Sequence, residues 1–338
     1  MQKIPQILFI TQKIHQNDDD LAFVILWIKE MIKQGAKVKV ICLQRGDFDD
    51  SFEVYSLGKE KGAGRIQRIF TFFKLIFTLK YNRVFVHMNP EYVSLGGWYW
   101  WLRRKPIYLW YTHYTMHLHL WLSGFLSKRM FAATSQSLPQ YDDNPKKVIT
   151  GHGIDMSFWL KDSEEKRQQP KQILTVHRIC RSKRLELSIK ALKYLPQDFT
   201  LKVYGRDVEK DYYLEIKELI VKENLENRVS LMGPMPMPEL KKIYPNYSLM
   251  FNMAMETIDK TMLEGMLFGI YPITTPNNSQ AIGLPVWPKG ESARDIADFV
   301  LAGEYKKYSR DYLRGIVEQK HSLPFLINKM LKYITLGN

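Results

Sequence analysis

Apolar residues in the first half of the chain form short continuous runs separated by stretches of helical spacing. The runs at 7–11, 38–43, 84–87, 107–110 and 148–151 have the length of buried strands. Between the first two, Leu21, Val24, Ile25, Ile28 and Ile32 share one helical face, and Gly35 ends that helix. Strands without internal polar alternation, separated by amphipathic helices, predict a parallel sheet covered on both faces. Residues 161–171 (KDSEEKRQQPK) are polar and aperiodic, which predicts a linker. The alternation then resumes, with strands at 173–176, 201–204, 229–231, 249–252 and 272–274 and helices at 185–195, 210–224, 238–244 and 260–268. From Gly303 to the end the pattern is helical, with Leu326, Ile327, Met330, Leu331 and Ile334 on one face.

A chain of 338 residues can build two domains of ordinary size, each with its own core. Its 45% hydrophobic and 25% charged residues are those of a globular protein. No apolar run reaches the roughly eighteen residues of a membrane-spanning helix. Cys42 and Cys180 fall in different expected domains, so neither a disulfide framework nor a metal-ligating cysteine pair is indicated. The first apolar run is strand-sized and preceded by a lone Lys3, unlike a secretory leader, so a cytoplasmic location is expected.

Charge changes this picture. The formal net charge is +14, and between Lys59 and Arg129 twelve lysines and arginines face only Glu60 and Glu91, an excess of +10. Such a concentration implies an anionic partner. Residues 65–80 and 98–105 interleave these cations with aromatic side chains. Trp98, Trp101, Arg103, Arg104 and Lys105 suit the headgroup region of an anionic membrane surface, whereas 66–79 reads equally as a core helix. No nucleic-acid motif accompanies the charge, so nucleic acid is not expected as a partner.

The candidate chemistry lies in the second half. Arg178 and Lys183 follow the strand at 173–176 and precede a helix. Two cations at a strand-to-helix turn can hold a diphosphate, although Arg181 and Arg184 nearby leave a solvated basic turn as the alternative. Glu256 and Glu264 lie eight residues apart, about two helical turns, and ionised carboxylates accept from sugar hydroxyls. For Glu256 and Asp259 the competing reading is capping of the following helix. Gly205 and Gly233 close strands at the carboxyl edge of the sheet, where ligands bind in open α/β folds.

These elements, in order, together with Leu263-Glu264-Gly265-Met266 and Gly269-Ile270-Tyr271-Pro272-Ile273, resemble the donor-binding half of retaining glycosyltransferases of family 4. The resemblance implies an α/β protein of the GT-B fold, two Rossmann-like domains facing each other across a cleft. The N-terminal, acceptor-binding domain would span residues 1–155 and the nucleotide-sugar donor domain 156–310. A helical segment, 311–338, would cross back onto the first domain. It also implies that Arg178 and Lys183 bind the donor diphosphate and Glu264 the ribose, and Lys260, in place of a glycine-rich link, is expected to add a cation for the diphosphate. Glu256 and His113 would act at the donor hexose, and Gly205, Gly233 and Met235 would lie near the nucleobase. His152 matches a turn at the hinge. The implied partners are a nucleotide-diphosphate sugar and a glycan or lipid-linked acceptor, and no cofactor or metal is expected.

The chain departs from the family in two places. Thr257-Ile258-Asp259-Lys260 replaces a glycine-rich link, and residues 11–20 replace a Gly-Gly turn. In the latter, Asn17 or Asp18 is expected to cap the first helix, and Asp18, Asp19 and Asp20 are not read as a metal site. The departures keep a second possibility open, a catalytically idle module of this fold that binds membrane or a partner protein. A nucleotide-sugar epimerase would need acid/base residues not identified here.

Overall fold

A computed structural model describes residues 4–16, 18, 21–112, 115–161, 169–255 and 258–335. The chain divides into two compact units, Met1–Gly153 with Leu323–Asn338, and Ile154–Ser322.

The first unit runs β1 (Gln6–Ile14), α1 (Phe23–Lys33), β2 (Lys37–Arg45), β3 (Glu53–Ser56), α2 (Arg65–Thr78), β4 (Arg83–His87), α3 (Pro90–Leu102), β5 (Ile107–Trp110), α4 (Leu118–Leu126), β6 (Arg129–Ala132) and β7 (Lys147–Ile149). The seven strands form one sheet in the order β3-β2-β1-β4-β5-β6-β7. Every pairing is parallel. Strand side chains alternate between faces, and that alternation sorts the core in two. Leu8, Ile10, Val84, Val86 and Leu109 pack with Phe72 and Ile76 of α2, Val93 and Trp100 of α3 and Leu120 of α4. Ile7, Phe9, Phe85, Tyr108 and Trp110 pack on the other face with the apolar stripe of α1 and with the C-terminal helix.

The second unit runs α5 (Met156–Leu160), β8 (Gln169–Val176), α6 (Leu185–Ala191), β9 (Thr200–Tyr204), α7 (Lys210–Lys222), β10 (Val229–Gly233), α8 (Met237–Ile243), β11 (Tyr247–Asn252), α9 (Lys260–Met266), β12 (Tyr271–Thr274), α10 (Pro276–Ile282), α11 (Ala293–Ala302) and α12 (Arg310–Lys320). Its sheet has the order β10-β9-β8-β11-β12 and is parallel throughout. The last helix, α13 (Leu323–Thr335), returns to the first unit.

Two boundaries differ from expectation. The segment that returns begins at Leu323 rather than 311, because α12 buries Leu313, Ile316 and Val317 in the second unit's own core. The face of α13 made by Leu323, Leu326, Ile327, Met330, Leu331 and Ile334 joins the core of the first unit instead. The first junction lies after Gly153, not after 155, and Ile154 and Ser322 pair as a bridge inside the second unit. Residues 169–171, read as linker, open β8. Strands β3 and β6 were not expected from the pattern. No helix among the described residues is long and apolar enough to cross a membrane.

Candidate functional site

In the second sheet the chain leaves β8 in both directions, to β9 on one side and β11 on the other. In open α/β sheets the carboxyl ends at such a reversal are where ligands bind. Their convergence here is enforced by backbone contact. The Gly205 N–H donates to the Gly233 carbonyl at 2.9 Å, and the His177 N–H donates to the Tyr204 carbonyl at 3.1 Å. A Cβ on Gly205 would lie 1.8 Å from the His177 carbonyl oxygen, so only glycine fits. Gly233 meets a different demand, a φ of 78°.

Around this edge the loops are stitched by polar contacts. Lys183, in the turn after β8, points inward and donates to Asp259 Oδ1 at 2.5 Å. The other Asp259 oxygen accepts from Asn252 Nδ2 at 2.8 Å. Asn252 Oδ1 in turn accepts from the Ala254 N–H at 3.2 Å. Thr261 Oγ1 donates to the Val176 carbonyl at 2.7 Å, and the Met255 N–H to the Ser182 carbonyl at 3.0 Å. Side-chain exposure is 7% for Lys183 and 21% for Asp259.

This overturns two expectations. Lys183 is not a solvent-facing cation, since it is buried and its charge is matched by a carboxylate from the 257–260 link. Asp259 sits at the N-cap of α9 yet makes no side-chain cap; both its oxygens serve Lys183 and Asn252. The rest of the basic turn is also accounted for. Arg181 forms a two-pronged pair with Glu215, at 2.9 and 2.5 Å, and Arg184 pairs with Glu291 at 2.6 Å while donating to the Met253 carbonyl. Arg178 is exposed.

Lys260 opens α9 and Glu264 follows one turn on, four residues apart and therefore on one face. Burial pushes the Glu264 carboxyl up to about 7, with the Lys260 charge opposing the rise. Burial pushes the Lys260 ammonium down to about 8, with Glu264 opposing that fall. Tyr244 Oη donates to Glu264 Oε2 at 3.4 Å. Glu264 thus stands buried beside Lys260 with one long hydrogen bond from Tyr244, a carboxyl close to its protonation midpoint at neutral pH.

A further residue belongs to this edge. His177 is buried, and burial holds its ring neutral, against the pull of Asp259. Its Nδ1 lies 2.9 Å from the Arg178 carbonyl, which can only accept, so Nδ1 carries the proton and Nε2 is an acceptor. Nε2 has no hydrogen-bond partner among the described residues. The signal in the sequence was a histidine beside Arg178 at the end of an apolar strand.

Other expected site residues lie as follows. Met235 is half-buried against the core of the second unit. His113 and Glu256, expected at the donor hexose, lie outside the described residues, as do Asn17, Asp19 and Asp20. Asp18 accepts from the Leu21 N–H at 2.8 Å and pairs with Lys13 at 2.6 Å. In the first unit Trp98, Trp101, Arg103 and Arg104 are exposed. Lys105 is half-buried, with its ammonium 3.5 Å from the centre of the Tyr81 ring and 5.6 Å from that of Tyr99.

The model of the family described as "Glycosyl transferases group 1" matches residues 159–281, which contain this edge. The crystal structure of Anabaena HepE in complex with UDP is similar with a TM-score of 0.76 at 15% identity, over 98% of this chain and 100% of that one. A glycosyltransferase from Rickettsia africae gives 0.77 at 16% identity, over 99% and 100%. The apo lipopolysaccharide outer core galactosyltransferase WaaB gives 0.72 at 17%, over 98% and 99%. No curated protein sequence matches the chain.

Proposed function

We propose, from the GT-B fold of this chain and the match of residues 159–281 to the model of glycosyl transferases group 1, that the protein is a retaining hexosyltransferase using a nucleoside diphosphate sugar. The bond from the anomeric carbon to the diphosphate oxygen breaks, and an acceptor hydroxyl oxygen bonds to the same face. The hydroxyl proton passes to the leaving phosphate, and fixed cations rather than a metal meet the charge on it. Arg178 and Lys183 stabilise the charge that develops there. Glu264 accepts from the ribose hydroxyls, Lys260 supports the diphosphate, and His113 and Glu256 serve the hexose. The acceptor is a hydroxyl of a glycolipid, a polyprenyl-linked saccharide or another glycan, met at the cytoplasmic face of a membrane.

The observation that carries this reading is the convergence of His177, Arg178, Lys183 and Asn252 with the start of α9 at the reversal point of the second sheet. UDP bound to HepE, of the same fold, supports a diphosphate donor. The Lys183–Asp259 pair favours a second reading, an idle module, because it cancels one of the two cations.

Calorimetric titration with UDP, GDP and their sugars separates the two. Arg178→Ala is expected to weaken diphosphate binding by about 1.5–3 kcal/mol while leaving the nucleoside unchanged. Equal losses for both would remove Arg178 from the phosphate. Absence of nucleotide binding in the unaltered protein would leave the idle module. Where turnover is found, it should survive EDTA; loss that magnesium or manganese restores would overturn the metal-independent step.

A further inference from the structure

The helices α2, α3 and α4 cover one face of the first unit's sheet, and their outward side is unlike an ordinary solvated surface. The inner side is spent on the core, through Phe72, Ile76, Val93, Trp100 and Leu120. Outward, α2 exposes Ile66, Phe70 and Phe77; α3 exposes Trp98, Trp101 and Leu102; α4 exposes Leu118, Trp121 and Phe125. Trp101 is 69% exposed and Phe125 76%. The spacing is helical in each case: 66 and 70 on α2, 98, 101 and 102 on α3, 118, 121 and 125 on α4.

These three stripes are continuous. The Phe77 ring meets Trp98 at 6.5 Å and Tyr99 at 4.7 Å, which joins α2 to α3 at the surface. A Cβ on Gly97 would lie 2.6 Å from Leu126 Cδ1, so glycine lets α3 and α4 approach closely. Ser94 Oγ and His119 Nδ1, at 3.0 Å, tie the same two helices.

Charge identifies the occupant. Arg65, Lys74, Lys80, Arg103 and Arg104 are exposed in or beside these helices, and none is ion-paired among the described residues. Ten basic residues lie between 65 and 129, against a single acid, Glu91. A second copy of the chain would bring like charges face to face. Nucleic acid would use the cations but leave nine large apolar side chains in water. A bilayer interface with anionic headgroups uses both: cations at the phosphates and aromatic and aliphatic tips below them.

We infer that the α2–α3–α4 face is a docking surface for an anionic lipid bilayer, in which three adjacent helices insert their outer side chains shallowly. It deepens the lipid-acceptor part of the proposed function, yet it rests on the first unit alone and is read independently of nucleotide binding. Lys105, held over Tyr81, takes no part, and the sequence-based candidate patch around residues 98–105 is one third of the surface.

The test is co-sedimentation of the full chain with vesicles of phosphatidylcholine alone or with about a third phosphatidylglycerol, at several salt concentrations. Binding to the anionic vesicles should fall as salt rises and leave a residue that salt does not remove. Arg103→Gln with Arg104→Gln should weaken it roughly fivefold per charge. Trp121→Ser with Phe125→Ser should remove the salt-resistant part, and Lys105→Gln should leave vesicle binding unchanged. On the unaltered protein, brominated lipid should quench tryptophan fluorescence, a readout that no variant's folding can confuse. Absence of that quenching, tighter binding to an oligonucleotide than to anionic vesicles, or self-association abolished by the α4 pair would each overturn the proposal. Calorimetric UDP binding on the same preparations tells a failed surface from a failed donor site.

Discussion

Lys183→Ala is expected to destabilise the protein by about 3 kcal/mol, because it leaves a carboxylate in a largely buried site without its cation. Asp259 would keep only the Asn252 amide, and Asn252 is itself fully buried at the end of β11. The loss should appear in urea unfolding as a shift of the midpoint with an unchanged slope. Lys183→Met combined with Asp259→Asn removes both charges and should recover most of the stability. Diphosphate binding should then divide the structural part from the functional one. The ammonium has three donors, of which Asp259 takes one, so a phosphate can share it. The double variant should therefore fold well and still bind UDP more weakly than the unaltered chain. Asp259→Asn alone, which leaves Lys183 without its counter-charge, should bind UDP more tightly at a cost in stability. A double variant with undiminished UDP affinity would make the pair structural and nothing more.

That pair also marks where the sequence stopped being informative. The strands of both sheets were legible because buried parallel strands are continuous apolar runs, and the helices between them because one face must match the sheet. Strands β3 and β6 were not, since each has only four residues and opens on a charged one, Glu53 or Arg129. Helical spacing from Gly303 onward concealed the break at His321 and Ser322, because periodicity tells which face is apolar but not which core receives it. At the site, the basic turn and the acidic residues were visible as types. Their pairing was not: Lys183 and Asp259 are 76 residues apart and meet only because β8 and β11 are neighbours. Asp259 had the right place for a cap and the wrong environment, for a buried ammonium competes better for its oxygens than a helix amide does. The outer face of α4 escaped notice for the opposite reason, since an apolar helix reads as core until its exposed side is seen.

Glu264→Gln should change how stability depends on pH more than it changes stability at any one acidic pH. The folded carboxyl titrates at about 7 against an ordinary value of 4.5. A raised value means the folded protein holds this proton more tightly than the unfolded chain. Its contribution is therefore complete below about pH 4.5 and is lost as pH rises through 7. The shift amounts to about 3 kcal/mol over that interval. Lys260 titrates at about 8, above this window, and adds no slope of its own within it. In the Glu264→Gln variant the neutral amide removes the dependence, so the unaltered protein should lose stability relative to the variant between about pH 5 and 7, as read in urea titrations. The same ionisation should govern recognition of the donor. A carboxylate accepts from both ribose hydroxyls, whereas the protonated group keeps one acceptor fewer. The ratio of uridine to 2′-deoxyuridine affinity, which contains no phosphate titration, should rise as pH passes through about 7 in the unaltered protein and stay flat in the variant. A ratio independent of pH, in a protein whose stability still shows the carboxyl titrating, would place Glu264 in the core of the second unit and away from the ribose.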